Sequence, residues 1–335
     1  MSDLGIGFMA IGVMLVAIVL GMHIGVALIV TSFVSVLFIR SPEIAARFVG
    51  ASANDAIRDY LFGVVPLFVL MGMFVSVSGV GRDTFDVFQW LLRRLKGGLG
   101  LATVGANAVF AAITGISIAS ASVFTKVAVP EMMRHGYTPR FSVGVVAGSS
   151  VLGMLIPPSL LMIVYAVLAE ESVGRMFLAG VGPGILLALI FSVTIIVLAR
   201  TRKSFVFDST DDTADYADMS GLTMLRKSVP IVALMLVVLG GLYGGFLNPT
   251  EAGAAGAFGA LVVAIARRSL NAKTFWNLLV ETGQITVSVL FLILAATFFS
   301  RMLALSGVPR GLAELLLTGP IGPYGFLILY LWLII

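Results

Sequence analysis

Small and hydroxylated residues interrupt two long apolar stretches at points where a simple membrane anchor would be unbroken. The first interruption is segment 113–122 (ITGISIASAS), and the second is segment 148–159 (GSSVLGMLIPPS). Hydroxyl groups, and backbone carbonyls released from helical hydrogen bonds, are the oxygen ligands that coordinate alkali cations inside membranes. The sequence therefore predicts that both segments contribute oxygen atoms to a cation site.

The first segment lies within residues 98–133, which are too long for one simple span. We interpret them as two half-helices that form a re-entrant hairpin with its tip near 115–120. Non-helical backbone at membrane depth is tolerated only where protein or water covers it. The alternative is a helix–helix contact, because small residues also let transmembrane helices approach closely. As a hairpin, the tip supplies the predicted cation ligands Gly115, Ser117 and Ser120 and the predicted substrate ligand Ser122.

The second segment lies in the middle of the charge-free stretch 141–169. Its two adjacent prolines remove two amide donors and push Ile156 out of helical geometry, which predicts a broken helix. A helix broken near the midplane has a carbonyl end that attracts cations and an amide end that attracts anions. A proline kink without any ligand is the alternative. The predicted cation ligands here are Gly148, Ser149 and Gly153, and the predicted substrate ligands are Ser150, Pro157 and Pro158.

Other residue types limit the chemistry that is available. The chain has no cysteine, which excludes disulfides, thiolate catalysis and cysteine-based metal sites. Its two histidines, His23 and His135, lie far apart, which disfavours a histidine-ligated metal centre. Lys126 is a candidate for contact with a substrate, and the alternative is a place near the membrane surface. An intramembrane enzyme would need paired acids or a base near the serines, and only Lys126 offers such a base, so we expect neither an enzyme nor an organic cofactor.

The elements that position these segments must lie in the lipid bilayer. Hydrophobic residues make up 59% of the 335 residues, charged residues make up 11%, and the mean hydropathy is +1.09. A soluble domain has roughly 25% charged residues. The predicted fold class is therefore an all-α polytopic membrane protein, because helices satisfy their own backbone groups in lipid. The net charge of +4 comes from residues at the ends of apolar stretches, so we expect no nucleic-acid partner.

Basic residues around the hydrophilic connection 201–228 orient the chain. Arg200 precedes this connection, Lys227 lies at its end, and a second basic cluster follows two apolar segments later at 267–273. Both clusters therefore fall on one side of the membrane. The positive-inside rule assigns that side, with the loop 201–228, to the cytoplasm, so we expect a multi-pass protein of a bacterial or archaeal inner membrane.

A short repeat indicates two related halves. Segment 78–82 (SGVGR) recurs as 306–310 (SGVPR), each after a long apolar helix and before an amphipathic segment. The first amphipathic segment, 82–96, has the pattern of a helix lying in the membrane interface, and a cytoplasmic loop helix is the alternative. Paired halves are common in secondary transporters. The second copy reaches Ile335 inside an apolar run, so we expect roughly ninety further residues of a second half, as repeat architecture would require.

The predicted organisation has five parts. They are N-terminal scaffold helices (1–58), a first repeat (59–200), a cytoplasmic loop (201–228), further scaffold helices (229–280) and the start of an incomplete second repeat (281–335). Within the first repeat, the predicted elements are a span, the interfacial arm helix 82–96, the hairpin 98–133, the broken helix 141–169 and the span 173–200.

Four segments are specific in their combination and order, although none is specific alone. They are the run 114–122 followed by VPEM at 129–132, the run 148–159, AGVGPG at 179–184 and NPTEAGAAGAFGA at 248–260. Together they resemble the large membrane subunit of tripartite ATP-independent periplasmic (TRAP) transporters, and the resemblance covers essentially the whole chain.

The resemblance implies an elevator-type secondary transporter with sodium as the coupling ion. It also implies the lipid bilayer and two proteins as partners, a small four-helix membrane subunit and a soluble periplasmic substrate-binding protein. Family substrates are mostly organic acids such as dicarboxylates, sugar acids and sialic acids, so uptake of such an acid is the implied function. Family members have a second hairpin and a second broken helix, which leaves a non-transporting truncated scaffold subunit as the alternative.

Overall fold

A computed structural model describes residues 2–58, 60–208 and 220–318, together with Gly325 and Ile328. Over these residues the regular secondary structure is helical and contains no β-strand. This result confirms the predicted all-α class.

The helices are numbered in chain order. The first nine are α1 (Asp3–Val19), α2 (Ile24–Ile39), α3 (Pro42–Arg58), α4 (Val64–Val77), α5 (Val80–Leu92), α6 (Gly98–Thr114), α7 (Ser117–Arg134), α8 (Pro139–Ser150) and α9 (Leu152–Leu155). The next eight are α10 (Leu160–Leu168), α11 (Val173–Thr201), α12 (Lys203–Val206), α13 (Gly221–Met235), α14 (Gly241–Tyr243), α15 (Pro249–Ala266), α16 (Ala272–Ser306) and α17 (Val308–Thr318). A 3₁₀ turn, Tyr60–Gly63, precedes α4, and a π-helical turn, Leu236–Gly240, joins α13 to α14.

Several of these helices are long and apolar enough to cross a bilayer. Among the described residues, five helical segments are long and apolar enough to cross a bilayer. Helices α4 and α5, which are bent by 65° relative to each other, make a sixth if the pair counts as one span. The five are Pro139–Leu168 (α8 to α10 together), α11, Gly221–Tyr243, α15 and α16.

Two compact units divide the chain. Residues before 60 and after 287 form one unit, and residues 60–287 form the other. In the first unit, apolar residues of α1, α2 and α16 share a core that includes Ala10, Val36 and Met302. Both candidate segments lie in the second unit, which therefore holds the site.

Glycines in α15 bring this helix close to α4 in the second unit. A capping box starts α15: the Asn248 side chain accepts from the Glu251 N–H at 2.9 Å, and the Glu251 carboxylate accepts from the Asn248 N–H at 2.9 Å. A Cβ added at Gly253 would lie 3.2 Å from Phe68 of α4. The small residues that follow Glu251 therefore serve close helix packing, as their sequence pattern predicts.

The repeated segment has the same local geometry in both copies. Gly79 and Gly307 have left-handed backbones, with φ of +78° and +76°. The serine before each glycine donates its hydroxyl to a carbonyl three residues earlier, at 2.7 Å for Ser78 and 2.8 Å for Ser306. Each copy therefore ends an apolar helix with a glycine turn and starts an amphipathic helix, α5 or α17.

Some predicted boundaries differ from the structure. The arm predicted at 82–96 is helical as α5 from Val80 to Leu92, after which the chain turns at Gly97 with φ of +80°. The predicted loop 201–228 contains α12 and the start of α13, because apolar residues within it join the neighbouring helices. Its central residues 209–219 lie outside the described residues, as do residues 319–335 of the predicted final segment apart from Gly325 and Ile328.

Candidate ion and substrate site

The first candidate segment forms a helical hairpin, α6 and α7, broken at Gly115 and Ile116. Gly115 has a left-handed backbone with φ of +64°, which glycine adopts readily because it has no Cβ. A Cβ at this position would overlap the carbonyl oxygen of Pro158 in the second segment. The break therefore requires glycine both for its backbone conformation and for its contact.

The open ends of the hairpin lie beside the C-terminal end of α11 and the short helix α12 that follows it. At the start of the hairpin, the Cβ position of Gly97 is 3.3 Å from the Cβ of Ala199. Beyond its end, the N–H of Thr138 donates to the carbonyl of Val206 at 2.9 Å. The two ends of the hairpin therefore lie near the same end of α11, as expected of a re-entrant element.

The second candidate segment stays helical for longer than its glycines and serines suggest. Helices α8 and α9 continue to Leu155, and only residues 156–159 are unwound before α10. The Ser149 hydroxyl donates to the carbonyl of Val145 at 2.6 Å, one turn earlier in its own helix. The chain unwinds where the prolines exclude helical geometry, whereas the serines upstream stay helical and donate their hydroxyls to carbonyls of the same helix.

The two breaks face each other. The N–H of Leu160, the first residue of α10, donates to the carbonyl of Gly115 at 3.1 Å. The Cβ position of Gly153 is 3.1 Å from the backbone of Ser117, the first residue of α7. On another side, the Cβ position of Gly72 in α4 is 2.8 Å from the Thr114 carbonyl oxygen. Protein therefore covers Gly115, the residue at which the hairpin breaks, as non-helical backbone at membrane depth would require.

Asn107 of α6 links the hairpin to the broken helix. Its side chain is completely buried. The amide nitrogen donates to the Ser149 hydroxyl at 2.6 Å, and the amide oxygen accepts from the Ser120 hydroxyl at 2.5 Å. Sequence reasoning missed Asn107, although a single amide in the apolar run of α6 was the signal that could have found it. One side chain thus joins three helices, α6, α7 and α8.

The structure brings most of the predicted site residues into this cluster. They form the tip, touch it, or bond to Asn107, and the two prolines are buried in the facing break. The residues brought together are Gly115, Ser117, Ser120, Ser149, Gly153, Pro157 and Pro158.

Other predicted residues lie apart from the cluster. The Cβ position of Gly148 is 3.4 Å from Phe191, so Gly148 faces α11. The Ser150 hydroxyl donates to the Ala147 carbonyl of its own helix at 2.8 Å. Ser122 and Lys126 are exposed on α7. These positions depend on which side of a helix each residue occupies after docking, which sequence order alone does not determine.

The sequence matches the family described as Tripartite ATP-independent periplasmic transporter, DctM component, over residues 11–335. This chain belongs to the DctM family. The family assignment confirms the resemblance to TRAP large membrane subunits and the multi-pass inner-membrane location.

Three curated relatives of this DctM-family chain are named as permeases rather than enzymes. The chain is 33% identical over 289 residues to the C4-dicarboxylate TRAP transporter large permease protein DctM of Pseudomonas aeruginosa, covering 86% of this chain and 66% of the relative. It is 30% identical over 303 residues to the isethionate TRAP transporter permease protein DctMQ of Oleidesulfovibrio alaskensis, covering 90% and 46%. It is 27% identical over 266 residues to the sialic acid TRAP transporter permease protein SiaT of Haemophilus influenzae, covering 79% and 42%. The matches thus span between 42% and 66% of the length of these relatives.

Glycines of α11 accommodate the unwound segment in this DctM-family chain. The Cβ position of Gly180 is 2.5 Å from the Leu155 carbonyl oxygen, and that of Gly184 is 2.7 Å from the Ile156 side chain. Any larger residue at either position would push the break away from α11. The AGVGPG run at 179–184 therefore gives α11 a surface that the broken helix can approach closely.

Four helix ends meet where the breaks face each other. Helices α6 and α9 end there, and α7 and α10 begin there. The last carbonyls of a helix and the first N–H groups lack partners within the helix, so carbonyl ends favour cations and amide ends favour anions. Among the described residues no group of three or more His, Cys, Asp or Glu side chains could hold a metal ion. The polar groups at this DctM-family site are the backbone groups of these helix ends, the serine hydroxyls and the Asn107 amide.

Proposed function

We propose that this chain is the membrane permease subunit of a sodium-coupled TRAP-type secondary transporter that imports an organic acid. A periplasmic substrate-binding protein would deliver the acid, and a small four-helix membrane subunit would complete the membrane complex. The observation that carries the proposal is the meeting of the two breaks, at which the Leu160 N–H bonds to the Gly115 carbonyl.

Sodium binding is supported by the carbonyl ends of α6 and α9. These ends lie beside the hydroxyl-bearing residues Ser117 and Ser120 at the start of α7. A bound cation would offset the charge of a carboxylate that enters a region of low dielectric constant, which lowers the desolvation penalty of the anion. The substrate would then lie beside the amide ends of α7 and α10.

The class of substrate is supported by the names of the relatives. Permeases among the relatives are named for C4-dicarboxylates, isethionate, ectoine and sialic acid. Dicarboxylates, ectoine and sialic acid carry a carboxylate, and isethionate carries a sulfonate. A dicarboxylate, a sugar acid or a similar carboxylate therefore fits the anionic group that these substrates share and the amide ends at the site.

Movement of the site as one body is supported by the contacts that join the hairpin to the broken helix. Asn107 binds side chains of α7 and α8, and the backbone of Gly115 bonds to α10. A hairpin and a broken helix joined in this way would move together in an elevator mechanism. The helix α5, bent by 65° from α4, would connect this body to the rest of the protein.

Uptake into proteoliposomes tests the proposal. The chain is reconstituted with its two partners, and uptake of a radiolabelled C4-dicarboxylate or sialic acid is measured in sodium and in choline. We expect uptake to require sodium. Uptake that persists unchanged in choline would exclude sodium coupling, and assembly with the partners without any uptake of either acid would favour the scaffold alternative.

Serine variants then test whether the cluster is the site. Ser120→Ala and Ser149→Ala should raise the sodium concentration that gives half-maximal uptake, because both hydroxyls belong to the cluster. Ser122→Ala is the matched control, since Ser122 is exposed on the same helix as Ser120. An equal effect of all three variants would place the sodium site elsewhere.

A further inference from the structure

Three basic side chains line an open pocket of about 700 Å³ in the second unit. Arg226 and Lys227 come from α13, and Arg267 comes from the C-terminal end of α15. The other side of the pocket includes Asp83 of α5. The pocket lies outside the hairpin and the broken helix and shares no residue with the candidate site.

The charges around this pocket leave one cation unpaired. Asp83 pairs with Arg267 and, at 3.6 Å, with Lys227, and Asp86 pairs with Lys227. Arg226 is exposed and makes no ion pair or hydrogen bond within the part of the chain that the structure describes. Among the described residues around the pocket, three cations and two carboxylates leave a net charge of one positive unit, which Arg226 carries. This charge matches that of one phosphodiester.

Helix α5, which contributes Asp83 to the pocket, has the composition of a helix at the membrane interface. It is amphipathic, with Phe85 buried and Trp90 five residues further along, where Arg93 lies 5.5 Å over the indole ring. Tryptophan and arginine are typical of the membrane–water interface. The remainder of the pocket wall includes the apolar Val229 and Pro230. A ligand that fits this wall has an anionic group at one end and an apolar chain at the other.

We propose that this pocket binds the phosphate headgroup of an anionic phospholipid, with an acyl chain lying along Val229 and Pro230. The positive-inside rule places this basic side of the protein at the cytoplasmic leaflet. Basic pockets between transmembrane helices on that side bind anionic headgroups through their cations. The lipid would lie against α13 and the end of α15, on the side of Arg226. This inference goes beyond the proposed transport function and does not depend on it.

Lipid binding to the purified chain tests the proposal. Native mass spectrometry of the full chain in detergent compares phosphatidylglycerol with phosphatidylcholine of the same acyl chains. We expect the chain to bind phosphatidylglycerol in preference to phosphatidylcholine. Arg226→Gln should bind phosphatidylglycerol about fivefold more weakly, because one basic residue near an anionic surface contributes about that factor to binding. Arg226→Lys keeps the charge and should bind almost normally. Arg200→Gln is the matched control, since Arg200 is exposed on the same side but does not line the pocket.

Three results would overturn the proposal. Equal binding of the two lipids would show that the pocket does not select charge. An equal loss for Arg226→Gln and Arg200→Gln would show that general surface charge attracts the lipid. Displacement of phosphatidylglycerol by inorganic phosphate at millimolar concentration would show that the pocket takes a free phosphate group rather than a lipid. None of these measurements requires transport, so they are independent of the uptake assay.

Discussion

Replacement of Asn107 by leucine tests the contact that joins the hairpin to the broken helix. Leucine has the same branched shape as asparagine, so the substitution removes two hydrogen bonds without opening a cavity, although its methyl groups are larger than the amide oxygen and nitrogen. The side chain is completely buried, and therefore water cannot replace the lost partners. We expect the lost hydrogen bonds to account for the larger part of the loss of stability.

The size of the stability loss follows from the hydrogen bonds that each serine keeps after the substitution. Ser149 loses the donor of its 2.6 Å bond from Asn107 but still donates to the Val145 carbonyl, so this loss costs about 1 kcal/mol. Ser120 loses the acceptor of its own hydroxyl at 2.5 Å, and a buried donor without a partner costs about 1–3 kcal/mol. The free energy of unfolding should therefore fall by about 2–4 kcal/mol.

Equilibrium unfolding of the purified chain in mixed micelles measures this change. Sodium dodecyl sulfate is added to a mild detergent, and the fluorescence of the three tryptophans is followed. Asn54→Ala is the control, because Asn54 is exposed on α3. We expect the control to change the free energy of unfolding by less than about 0.5 kcal/mol, as for ordinary surface substitutions.

A double-mutant cycle provides the refutation. If Asn107→Leu destabilises by leaving the Ser120 hydroxyl unpaired, then Ser120→Ala in the same chain removes that hydroxyl and restores part of the loss. The two changes should couple by about 1–2 kcal/mol, as residues in direct contact do. Strict additivity, or an Asn107→Leu effect as small as that of Asn54→Ala, would refute the contact as a source of stability.

Three further predictions use the same unfolding assay. Gly115→Ala should destabilise by about 2–4 kcal/mol, because left-handed strain of about 1–2 kcal/mol adds to an overlap with the Pro158 carbonyl. Gly245 has a φ of +72° and open space around it, so Gly245→Ala should show the strain alone. Equal losses of stability for the two variants would argue against the overlap. Asp83→Asn should lower the free energy of unfolding by about 2 kcal/mol, because it leaves two half-buried cations without their shared carboxylate. This loss should shrink in 1 M salt, which screens the charges. A loss that is independent of salt would contradict that explanation. Sodium at about ten times its dissociation constant should raise the free energy of unfolding by about 1.4 kcal/mol, whereas choline should not, and the absence of any difference would contradict the sodium site.

Local sequence was sufficient for the helical class, the two breaks and the glycine turns. Two prolines prevent helix formation at 157–158 wherever the segment lies in the fold, and Gly115 provides the left-handed turn between α6 and α7. These features depend on residues that are adjacent in the chain, so their physical causes can be read from the chain. The unwound part was shorter than the hydroxyl-rich segment suggested, since Ser149 bonds to its own helix.

Only the tertiary structure decided which residues distant in the chain pair with each other. Asn107 meets Ser149, which is 42 residues away, and Lys227 meets Asp86, which is 141 residues away. Nothing near either residue in the chain specifies such partners, because the contact exists only after whole helices dock with their small residues facing each other. The sequence by itself therefore determined where the helices break and which groups the breaks release. The packing of helices α6 through α11 against one another decided that the two breaks meet at one site, and it decided which serines belong to that site.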